Sequence, residues 1–130
     1  MKLVQFDGFP FVEGGITAAK GFSASGVHCG IRANKSKKDL GLLLADHDCA
    51  AAGVYTLNKV KGAPIAVTKD HIAGGYCRGV IVNSGIANTC NADGIEKAEA
   101  MCRIAAKAVN LKETDFAVAS TGVIGQPLPL

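Results

Sequence analysis

A chain of 130 residues with a formal net charge of +3, no Trp, and only five Phe and two Tyr has room for one core and not two. Its wealth of Ala, Val, Ile, Leu and Gly is that of a folded α/β or α+β domain and excludes a disordered chain. The mild charge gives no nucleic-acid footprint, and no run approaches the roughly 18 apolar residues that span a membrane.

The opening MKLVQFDGFPFVEGG reads as a loose lead-in closed by Gly14-Gly15, and Gln5 and Asp7 interrupt any signal-peptide core. A tightly packed strand is predicted over 23–31. Lys35, Lys37 and Lys38, beside Asn34 and Ser36, then form a solvated hairpin loop. Residues 39–48 carry a continuous apolar run, as a buried strand does. Two further strands are predicted over 50–58 and 63–72, with Pro64 at the start of the second. A turn at Gly74-Gly75 leads into another strand over 78–85.

One clear helix lies within 91–110. Asn91 or Asp93 caps it, and Ile95, Ala98, Met101, Cys102, Ala105 and Val109 recur at helical spacing as one apolar face. Asn110 ends the helix, and 116–120 returns as a short buried strand. Strands that cluster ahead of a single long helix do not make a regularly doubly wound sheet.

Cys29, Cys49, Cys77, Cys90 and Cys102 are odd in number and contain no C-x-x-C pair. They predict free, buried thiols in a reducing compartment, which makes the cytoplasm the expected location. His28-Cys29 point to opposite faces if extended, and His47 with Cys49 gives two ligands where a zinc site needs four. No metal is expected.

Two stretches can carry chemistry. In ASTGVIGQPLPL, from Ala119 onward, a strand delivers Thr121 and Gly122 to an irregular loop, where a hydroxyl and an unobstructed backbone N–H aim at one point. Such a pair suits an oxyanion; an ordinary turn closed by Thr and Gly fits the same spacing. In VNSGIANTCNADG, Asn83, Ser84 and Asn88 either bind a polar substrate or satisfy their own turns.

Five segments, GGITAAKGF, DLGLLLAD, AAGVYTLNKVKGAPI, RGVIVNSGIAN and ASTGVIGQPLP, together resemble the glutamate N-acetyltransferase / ornithine acetyltransferase family of arginine biosynthesis. The resemblance runs from about Gly14 to Pro129 in the family's order and spacing. It implies an α/β (α+β) fold, a layered α-β-β-α sandwich of the self-cleaving ornithine acetyltransferase / aminopeptidase type, completed by a second chain. Residues 1–130 would be a single domain, the N-terminal part of an α chain.

The implied activity moves acetyl from N-acetylornithine to glutamate through an acetyl-enzyme on the N-terminal Thr of a β chain cut from the same precursor. Some members also take acetyl-CoA as donor; no cofactor is implied. The implied assembly is a heterotetramer of two α and two β chains. Thr121 and Gly122 fall on the family's oxyanion pair, while the nucleophile and the Lys and Thr substrate positions lie beyond Leu130. Ile86 stands where the family usually has Asn, which weakens the case for substrate contact by the 83–88 loop, and Ala19 stands at a frequent Pro. A self-cleaving aminopeptidase or amidase, and a non-catalytic scaffold chain, are the alternatives.

Overall fold

The computed structural model describes residues 8–9 and 11–130, so most of the predicted lead-in lies outside the described residues. Four strands form one sheet in sequence order: β1 (Phe22–Val27), β2 (Leu40–Ala50), β3 (Tyr76–Ile86) and β4 (Phe116–Val123). β1–β2 and β2–β3 are antiparallel, and β3–β4 is parallel. Helices α1 (Ala63–His71) and α2 (Gly94–Val109) pack on the sheet, and α2 is the crossover that a parallel β3–β4 pair requires. The architecture is α+β. It supplies one helical layer and one sheet of the four-layer sandwich that the resemblance implies.

Alternation along the strands sets the core. Phe116, Val118 and Ile81 point at the helices and meet Ala98, Met101, Cys102, Ala105 and Ala106 of α2. Phe116 is fully buried, which contributes about 1.5–3 kcal/mol relative to an exposed ring. Its ring fills the place where a Cβ on Gly79, its partner across β3–β4, would stand. Asn110 ends α2 in the left-handed conformation, φ 56°, as an Asn C-cap does.

Several expectations need correction. The segment 63–72 is helical, not extended. Pro64 sits in the first turn, where its missing N–H costs nothing, and Pro64, Val67, Thr68 and His71 line one face. The segment 50–58 forms no strand beyond Ala50, because no neighbouring strand among the described residues pairs with it. Val54 and Leu57 stand fully exposed there. β1 stops at Val27 rather than running to residue 31. On α2, Ile95 is exposed, and Asp93 at the N-cap position makes no side-chain cap. All five cysteines are free, but only Cys102 is buried; burial, foremost, pushes its thiol up to about 12.

Candidate active site

β3 and β4 run side by side to a common end, with Asn83 opposite Ser120, Ser84 opposite Thr121, and Gly85 opposite Gly122. Asn83 is fully buried, with its Nδ2 donating to the Ile86 carbonyl at 2.8 Å. Thr121 lies on the sheet face away from the helices and is exposed. Both Thr121 and Gly122 belong to β4, so the expected irregular loop is a continuing strand. The irregularity is in the backbone: Gly85 has φ 128° and Gly122 has φ 136°, a region that side chains disfavour. At Gly122 a Cβ would overlap the Gly85 carbonyl and lie 2.5 Å from the Ile86 nitrogen. The two strands close together here because residue 122 is glycine, whereas a Cβ at Gly85 would press on Ile31 and Arg32.

β4 is an edge strand, and α1 covers part of that edge. Thr68 Oγ1 donates to the Val118 carbonyl at 2.8 Å and accepts the Val118 N–H at 2.9 Å. His71 Nδ1 donates to the Phe116 carbonyl at 2.8 Å. Backbone groups of alternate residues point to the same side of a strand, so the N–H groups of Ser120 and Gly122 also face this edge. Among the described residues neither N–H has a side-chain partner, and no strand pairs with β4 on this side. The Gly122 N–H and the Thr121 side chain therefore stand at adjacent positions on an uncovered corner.

Beside this edge is a cavity of about 270 Å³ lined by Tyr55, Pro64, Ile65, Thr68, Thr89 and Ser120. The Tyr55 hydroxyl and Ser120 Oγ are buried without a partner among the described residues.

On the face of Thr121, a buried carboxylate organises the loop between β1 and β2. Asp39 accepts the Cys29 N–H at 2.7 Å and the Arg32 N–H at 2.9 Å, with His28 Nδ1 also at 2.9 Å. Burial opposes the charge on Asp39, but the Arg32 and Cys29 N–H groups and His28 outweigh it and hold the carboxyl well below the usual carboxylate range. A carboxyl depressed by folding stabilises the protein above its unfolded value, about 3.9, and loses that contribution as pH falls below it. Asp39→Asn is therefore expected to lower the melting temperature at neutral pH and to flatten its decline between about pH 5 and pH 2. A parallel acid decline in both proteins would exclude Asp39 as its source.

Arg32, fixed by Asp39 at its backbone, donates from its guanidinium to Ser84 Oγ at 2.6 Å. Sequence reasoning did not single out Arg32, Tyr55, Thr68 or His71, and it placed Gly30 in a strand, whereas Gly30 has φ 97° in the loop just ahead of Arg32. Asn88, fully buried, donates to the Gly94 carbonyl at 2.8 Å, so Asn83 and Asn88 serve local structure. Lys35, Lys37 and Lys38 are exposed in the loop between β1 and β2. His28 and Cys29 both turn to Asp39, and no group of three metal-ligating side chains occurs among the described residues.

The family model for the ArgJ family matches residues 23–130. This chain belongs to the ArgJ family. Its similarity to the arginine biosynthesis bifunctional protein ArgJ of Symbiobacterium thermophilum is 45% identity over 122 residues, 92% of this chain and 30% of that protein. The ArgJ protein of Bacillus cereus is 48% identical over 120 residues, 91% of this chain and 29% of that one. The chain thus spans about 30% of the length of these ArgJ relatives. The crystal structure of ArgJ from Bacillus halodurans superposes with a TM-score of 0.83 at 46% identity, covering 89% of this chain and 61% of that chain. Ornithine acetyltransferase from Mycobacterium tuberculosis, solved in complex with ornithine, gives 0.83 at 40% identity, covering 88% and 62%. No described helix is long and apolar enough to cross a membrane.

Proposed function

We propose that this chain is the N-terminal part of the α chain of a self-cleaving, cytoplasmic acetyltransferase of arginine biosynthesis, folded as one domain and paired with a β chain from the same precursor. The reading is supported by family membership together with one observation: Thr121 and Gly122 bring a hydroxyl and an edge-facing backbone N–H to one strand end. The N-terminal Thr of the β chain attacks the acetyl carbonyl of N-acetylornithine, its proton passing to the terminal amine. The Thr121 hydroxyl and the Gly122 N–H donate to the oxygen as it gains negative charge. Collapse breaks the C–N bond, ornithine leaves with the proton, and the acetyl ester remains. The amine of glutamate then attacks that ester through a second oxyanion at the same donors; collapse breaks the ester C–O bond, the Thr oxygen takes up the proton that the glutamate amine loses, and N-acetylglutamate leaves. Two α and two β chains form the working assembly.

The test uses the complete enzyme with N-acetylornithine, with and without glutamate. Formation of N-acetylglutamate that depends on glutamate, with little free acetate, is the expected result. Acetate release at equal rates in both cases would mean that water resolves the ester and the enzyme is an amidohydrolase. No turnover and no acetylated β chain would leave the chain a scaffold.

A further inference from the structure

We infer that Cys49 and Cys77 are an oxidation site, where a peroxide converts two facing thiols into a reversible disulfide across β2 and β3. The inference goes beyond the acetyl-transfer reading and does not depend on it. Cys77 lies near the start of β3, roughly 23 Å of extended strand from Ser84 at the other end. Three observations carry it.

The first is placement. Cys49 and Cys77 are register partners in the antiparallel β2–β3 ladder. Such partners project from the same face of the sheet, with Cα atoms about 4.5–5.5 Å apart. A disulfide spans about 4.4–6.8 Å between Cα atoms, so this bridge closes without a shift of the backbone. No other two cysteines are register partners among the described strands.

The second is the freedom of both sulfurs. Cys49 Sγ donates to the His47 carbonyl at 3.7 Å, and Cys77 Sγ to the carbonyls of Gly79 and Asp115 at 3.1 and 3.5 Å. In the thiol form the Cys77 sulfur leans toward the chain entering β4, and rotation about its Cα–Cβ bond turns it to Cys49. A thiol is a weak donor, so little opposes that turn. Both residues are half-buried and open to a small oxidant. Cys102, by contrast, is fully buried, and burial foremost pushes its thiol up to about 12, which withholds the reactive thiolate. The third is local. The register shifts between Leu44 and Cys49, so Cys49–Cys77 and Ala50–Tyr76 form a short patch of ladder beyond the break. A covalent link fastens the sheet where little else holds it.

One thiolate attacks hydrogen peroxide: the O–O bond breaks, an S–O bond forms, and the departing hydroxide takes up a proton as water. The sulfur of the second thiol then attacks the sulfenic sulfur. An S–S bond forms, the S–O bond breaks, and the hydroxyl leaves as water with the thiol's proton. The two cysteines lose two electrons, and one peroxide becomes two waters. Bridges made and reversed in this way are the kind that reducing compartments hold.

The experiment treats the complete protein with a few equivalents of hydrogen peroxide at neutral pH, blocks the remaining thiols and maps the peptides without reduction. The expected result is a linked pair of peptides carrying Cys49 and Cys77, separated again by dithiothreitol. The oxidised protein should melt higher by on the order of 5 °C, because the bridge also restrains the unfolded chain. Cys49→Ser should abolish both the link and the rise; if that variant does not fold, Cys77→Ser replaces it with the same expected loss. Cys49 and Cys77 recovered as separate thiols or sulfinic acids, a Cys77–Cys102 link, or a bridge that lowers the melting temperature each overturns the inference.

Discussion

Thr121→Ala, placed in the complete protein, is expected to lower kcat of the proposed acetyl transfer by about 10²–10³ and to leave the fold intact. The side chain is exposed on the sheet face away from the helices, outside the packed core. Its removal should change stability by no more than about 0.5 kcal/mol, as for most surface positions. In the proposed role the hydroxyl is needed only when charge develops on the acetyl oxygen, so the loss should appear in kcat with KM little altered. Single-turnover acetylation of the β chain, followed by mass spectrometry, isolates the step. Thr121→Ser keeps the donor and should recover most of the rate. Acetylation at the wild-type rate in Thr121→Ala would strip Thr121 of the proposed role.

Gly122→Ala is the second large effect, and it acts through the backbone. The new Cβ would overlap the Gly85 carbonyl, and the φ of 136° is one that alanine disfavours. Overpacking costs about 1–3 kcal/mol and the strained backbone roughly as much again, so a total on the order of 3–5 kcal/mol is expected. The melting temperature should fall sharply. Any folded remainder should be slow in acetylation, because the strands must part and carry the Gly122 N–H with them. A variant with wild-type stability would show that β4 tolerates a side chain here, against the close Gly85–Gly122 approach.

The sequence made the sheet's centre and α2 legible because their patterns are strong and local. The leucines of β2 and the Val-Ile-Val run of β3 are continuous, and Ala98, Met101, Cys102 and Ala105 mark a helix by spacing alone. α1 was misread because Ile65, Val67 and Thr68 are β-branched and favour strands. The better signal was the face of Pro64, Val67, Thr68 and His71, a helical period hidden under strand propensity. Residues 50–58 have the alternation of a strand, but alternation cannot create a neighbour to pair with. At the site, the glycine in Ser-Thr-Gly was readable. The joining of Arg32 to Ser84 was not, because the two lie 52 residues apart and meet only after β2 and β3 align.

The crossover through α2 carries a further consequence, in the order of folding. β1, β2 and β3 join through antiparallel neighbours, whereas β4 reaches β3 only after the whole of α2 has been laid across the sheet. Long-range parallel pairing closes a costly loop and tends to come late. The corner of Thr121 and Gly122 depends on that last pairing, so a chain halted before α2 docks lacks the assembled pair for which the oxyanion role is proposed. The proposed activity is thereby tied to completion of this unit.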